Sequence, residues 1–151
     1  VKNMDIALAG TGYAIFSVAM LIMRLLGDKT VQFLGEQKAV IGGSIVTAAG
    51  FALAVVLDNL YLNAFAFILI GLGCANIVPV FYSLLKYQKD MPISAAVTSV
   101  TSLGYTGVIL GPALLGFVAH CINISAVFEL VALLLVIEAG IAKSVFCKLK
   151  M

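Results

Sequence analysis

The chain is built mostly of apolar runs, each near the roughly 20 residues that a helix needs to cross about 30 Å of hydrocarbon, and separated by short polar stretches. The runs fall at about 6–26, 39–57, 61–85, 93–119 and 122–145. A backbone inside hydrocarbon must satisfy its own N–H and C=O groups, so runs of this length without period-2 alternation predict helices rather than barrel strands. Composition agrees: 63% of residues are hydrophobic, 11% are charged and the mean hydropathy is +1.17, where soluble domains carry roughly 25% charge. The expected fold is an all-α membrane protein, with a single domain over 1–151 and five transmembrane helices in contact with lipid.

Several function classes lack their residues. A net charge of +2, dispersed along the chain, does not suit nucleic acid. Cys74, Cys121 and Cys147 are far apart without a CxxC spacing, which argues for small packing residues rather than a disulfide framework or zinc site. His120 stands alone with no HExxH, so no metal is expected. Gly10-Thr-Gly12 and Gly71-Leu-Gly73-Cys-Ala-Asn76 begin like nucleotide fingerprints but lack the final glycine and lie inside apolar runs, so they read as packing glycines. No Gly-x-Ser-x-Gly occurs. Neither a cofactor nor enzymatic activity is expected. The first run is too long for a signal peptide, and Val1 in place of Met points to a fragment of a longer protein.

The charges orient the five runs. Alternate loops of a membrane protein differ in Lys and Arg content, with the excess in the cytoplasm. Arg24, Lys29, Lys38, Lys86, Lys89, Lys143, Lys148 and Lys150 collect on one side, and only Lys2 on the other. The expectation is an inner (cell) membrane protein whose C-terminus, 27–38 loop and 86–92 loop are cytoplasmic.

Within the runs, the second opens with Gly42, Gly43 and Ser44, continues through Thr47 and Gly50, and ends at Asp58-Asn59; its small residues let neighbouring backbones approach. The third carries Gly71, Gly73, Asn76 and Pro79, and a proline inside a helix frees a carbonyl, so a kink is expected close to Asn76. Lys86-Tyr-Gln-Lys89-Asp90-Met-Pro92 follows as a polar loop, its proline suited to a first helical turn. In the fourth run Ser94, Thr98, Thr101, Ser102 and Tyr105 share one face, with Gly104, Gly107 and Gly111 roughly opposite as a groove for another helix, before Pro112 bends it. The hydroxyl face, with Asn76 and Ser83, suits a polar cavity for a hydrophilic solute; hydroxyls bonded to their own helix carbonyls are the equal alternative. Glu129 and Glu138 in the fifth run are candidate proton or ion sites, since intramembrane charges usually face a bundle or a cavity. Nine residues apart, they lie about 180° around the helix and cannot share one partner.

Arg24, Gly27-Asp28-Lys29 and Gly35-Glu36-Gln37-Lys38 resemble the motif-A loop of the major facilitator superfamily of secondary transporters. Gly71 to Pro79 is similar to the fourth helix of a six-helix half, and Gly107-Val-Ile-Leu-Gly111-Pro112-Ala-Leu-Leu-Gly116 to its fifth. The resemblance covers essentially the whole chain and is nearest to the C-terminal half of the MosC-like branch. Asp28 to Gly35 is longer than the motif's usual spacing, and Met23 stands where glycine is common.

The resemblance implies helices eight to twelve of a twelve-helix transporter, with the first helix of this half and the N-terminal half as missing partners. It implies alternating access for a small-molecule substrate, with Arg24, Asp28 and Lys29 as a conformational latch and Asn76, Thr98, Thr101 and Tyr105 in the substrate cavity. Asp28 would pair with Arg24 or Lys29, or lie near the helix start at Pro92. A small non-transporting membrane subunit that binds helices through its glycine faces is the other class of reading.

Overall fold

The computed structural model describes residues 6–56, 59–87, 89 and 91–149. Lys2, Leu57, Asp58, Gln88, Asp90 and Lys150, used above, lie outside the described residues. The described residues form helices α1 (Ile6–Leu25), α2 (Gly27–Leu34), α3 (Glu36–Val56), α4 (Leu60–Cys74), α5 (Ile77–Leu84), α6 (Ile93–Cys121) and α7 (Ile124–Leu149), with a 3₁₀ turn at Leu85–Tyr87. Glu36–Val56, Tyr61–Tyr87, Ile93–Cys121 and Ile124–Cys147 are each long and apolar enough to cross a membrane, and the bent pair α1–α2 can supply a fifth crossing. The protein is an all-α integral membrane protein.

Two of the expected boundaries move for identifiable reasons. The 27–38 stretch is not an open loop: α2 occupies its first eight residues at 61° to α1, and Gly35 alone makes the turn into α3. Its φ of 83° and ψ of 152° belong to a region that only glycine adopts readily. Glu36 then complements the positive N-terminal end of α3, so this helix begins earlier than apolarity alone suggests. The third run does break at Ala75–Asn76, one turn before Pro79, whose missing N–H removes a rung of the ladder there. By contrast α6 runs through Pro112 without interruption, and Pro92 occupies its N-cap rather than its first turn.

In space the spans line up in the order α1, α4, α3, α7, α6. Glycine sets the spacing on both sides of α4. A Cβ on Gly43 would meet the Gly73 carbonyl oxygen at 2.5 Å, and one on Gly71 would meet the Phe16 carbonyl oxygen at 2.5 Å. Without a hydrophobic drive between helices in lipid, such backbone approach supplies the dispersion contact that holds them. Thr47 and Ser44 are buried in the same seam and satisfy their hydroxyls on Gly43 and Val40 carbonyls at 2.8 and 2.9 Å. Phe51 and Phe128 meet edge to face at 5.5 Å between α3 and α7. At the end carrying α2, Val40, Val80, Ala142 and Phe146 form a core against which Val31, Ile41, Phe81 and Leu84 pack. Asn59 and Asn123 start α4 and α7 by accepting the Tyr61 and Ala126 N–H groups at 3.0 and 2.7 Å. Helix α6 buries only Ala96.

Candidate functional site

The polar groups at the α2 end arise from where two helices terminate. Helix α3 starts at Glu36 directly after the Gly35 turn, and α5 ends in the 3₁₀ turn that carries Lys86. The two ends lie side by side. Lys86 Nζ donates to Glu36 Oε1 at 2.9 Å, and Ser83 Oγ lies 2.9 Å from the same oxygen and 2.8 Å from the Val80 carbonyl. The ammonium also sits 4.8 Å from the centroid of the Tyr87 ring, a cation–π approach. Leu34, Glu36, Gln37, Lys38, Tyr87 and Phe146 are among the residues lining a depression of about 350 Å³ beside this clasp. The motif resemblance leaves the Glu36–Lys86 pair out. The signal for it was present, since the start of one span and the end of the next must lie on the same side of the membrane.

Arg24, Asp28 and Lys29 are exposed at the bend between α1 and α2. Arg24 lies in the last turn of α1 and Asp28 in the first turn of α2, so each charge complements the helix end it occupies. Among the described residues, no ion pair joins the three to one another. The bend is instead held by Gly27, which is buried. A Cβ there would collide with Asn76 Oδ1. Asn76 is 7% exposed and occupies the N-cap position of α5 without a side-chain cap bond, its amide turned against α2.

Asn76 therefore has α2 as its neighbour, while Thr98, Thr101 and Tyr105 lie along α6. Tyr105 is 66% exposed. The hydroxyls of Thr98 and Ser99 bond to the carbonyls of Ser94 and Ala95 at 2.9 Å, the local alternative to solute binding. Thr101 is the exception, its Oγ1 lying 2.9 Å from Tyr82 Oη across the α5–α6 contact. A Cβ on Gly104, Gly107 or Gly111 would have nothing within 4 Å among the described residues, and Pro112 beside them is exposed. On α7, Glu129 is exposed and Glu138 half-buried, in keeping with their opposite faces. Among the described residues no three His, Cys, Asp or Glu side chains come together to hold a metal ion.

The chain is 40% identical over 144 residues to an uncharacterized MFS-type transporter of Yersinia pestis, covering 95% of the chain and 38% of that protein. It is 30% identical over 134 residues to an uncharacterized transporter of Sinorhizobium fredii, covering 89% of the chain and 36% of that protein. Membrane protein MosC of Rhizobium meliloti is 27% identical over 130 residues, 86% of the chain and 31% of that protein. The chain thus spans about a third of the length of these curated relatives. No family model and no solved structure matches it.

Proposed function

We propose, from a chain that belongs to the major facilitator superfamily, that it forms most of the C-terminal half of a secondary transporter in a bacterial inner membrane, moving a small hydrophilic solute by alternating access. The observation that carries this reading is the 40% identity to an MFS-type transporter across 95% of the chain. Rocking between halves needs rigid bodies joined by contacts that form in one state only. The tightly packed row α1, α4, α3 and α7 suits the rigid body, with the C-terminus and the α2 end facing the cytoplasm as the basic residues favour.

In this reading Asp28 and Arg24, exposed at the α1–α2 bend and unpaired with each other, are the latch groups that meet the remainder of the full-length protein. Glu36, Ser83 and Lys86 form a clasp inside this half that keeps the α3 start against the α5 end. The uncovered row of Gly104, Gly107, Gly111 and Pro112 seats helices from beyond this chain. The hydroxyl face of α6, with Thr98, Thr101 and Tyr105, lines the solute path. Glu138, half-buried, is the better placed of the two glutamates for proton or ion coupling. The reading involves no covalent chemistry. Full-length protein in proteoliposomes, assayed with a panel of sugars, polyols and drugs, tests it: accumulation of one solute class supports it, and no accumulation of any counts against it.

A further inference from the structure

We propose that α2 lies along the membrane surface and anchors this half to an anionic leaflet through Phe33 and Lys29. The inward face of α2 is already used, with Gly27 under Asn76 and Val31 against the Val40, Val80 and Phe146 core. At 100° per residue, Lys29 and Phe33 stand one turn apart on the opposite face. Phe33 is 90% exposed, more than any other large apolar side chain among the described residues. The 61° bend carries α2 away from the direction of α1; with α1 set along the membrane normal, α2 runs closer to the membrane plane than to that normal.

Charge selects the occupant. Arg24, Lys29 and Lys38 are all exposed around α2, while Glu36 is neutralised by Lys86, which leaves Asp28 as the one opposing charge on this helix. An aromatic ring beside an ammonium on a basic surface fits an anionic phospholipid: the ring enters the acyl boundary and the Lys29 stem carries its charge out to the phosphate. This assigns Lys29 to lipid rather than to the latch, and leaves Arg24 and Asp28 for the latter.

The test uses full-length protein with its native cysteines replaced, spin-labelled at Phe33→Cys or Gln32→Cys and reconstituted in phosphatidylcholine vesicles containing phosphatidylglycerol. Collisions with lipid-soluble oxygen and with a water-soluble nickel chelate are compared. An interfacial anchor predicts a higher oxygen-to-nickel ratio at position 33 than at 32, lowered when Lys29→Glu is added or phosphatidylglycerol is omitted. A label at 33 as open to nickel as that at 32 overturns the proposal, as does one shielded from both reagents, which marks a protein cover. Phe33→Trp, read as extra fluorescence quenched by brominated lipid relative to the parent protein, gives an independent answer: no extra quenching also overturns it.

Discussion

The amide oxygen of Asn76 fills the space that a Cβ on Gly27 would occupy. This places the break between α4 and α5 directly against the bend between α1 and α2, so two irregular points of the fold support one another. Gly27→Ala must displace the end of a side chain, and should destabilise by about 1–3 kcal/mol, the usual cost of overpacking. Because the Asn76 side chain makes no cap bond in α5, Asn76→Ala in the same protein should recover most of that loss. Thermal unfolding in detergent of the two single variants and the double variant checks the coupling.

Gly73→Ala should be worse than Gly27→Ala. The new methyl would meet the Gly43 carbonyl oxygen at 2.6 Å and the Thr47 backbone nitrogen at 2.8 Å, atoms that cannot swing aside. Gly42→Ala serves as its control, since nothing lies within 4 Å there, and a helical alanine gains up to about 1 kcal/mol over glycine. The same melts should rank Gly42→Ala at or above the parent and Gly73→Ala lowest.

Gly35→Ala should cost about 1–3 kcal/mol through backbone strain alone, because no neighbour lies near its Cβ position. Gly35→Asn should not relieve it: asparagine tolerates the left-handed helical region, but a ψ of 152° lies outside that region. Protease cleavage at the α2–α3 turn, faster in both variants than in the parent, is the expected readout.

The long apolar helices were legible because length and apolarity decide them, and the break near Asn76 because Pro79 announces it one turn early. Helix α2 was not legible. Val31, Phe33 and Leu34 are too few apolar positions among charges for a periodic signal, and only its packing on Asn76 and Val80 gives it a face. The spatial order of the helices was hidden as well. Glycines at 43, 71 and 73 declare a close approach without naming the partner. The hydroxyl face of α6 was visible in its spacing, whereas the Tyr82–Thr101 contact depends on where α5 turns after the break. Glu36 and Lys86 are fifty residues apart, and span topology puts them on the same side of the membrane without pairing them.

The Glu36–Lys86 pair should matter more for switching than for stability. With side chains 23% and 53% exposed, a double-mutant cycle should give only a small coupling, reduced by salt. Lys86→Glu should nonetheless slow uptake by the full-length protein, and the swap Glu36→Lys with Lys86→Glu should restore part of it.

The hydroxyl link between α5 and α6 should be worth about 1 kcal/mol. Tyr82→Phe and Thr101→Val each remove it, and the double variant should cost little more than either alone. Hydrogen exchange in α6, where only Ala96 is buried, should rise in all three.

The proposed role of the α1–α2 bend is tested most directly by solute uptake through the full-length protein carrying Asp28→Ala, measured at equal amounts of membrane-inserted protein. The account predicts a large loss of uptake with insertion unchanged, since Asp28 is exposed and forms no ion pair with Arg24 or Lys29. Uptake equal to that of the parent would contradict it.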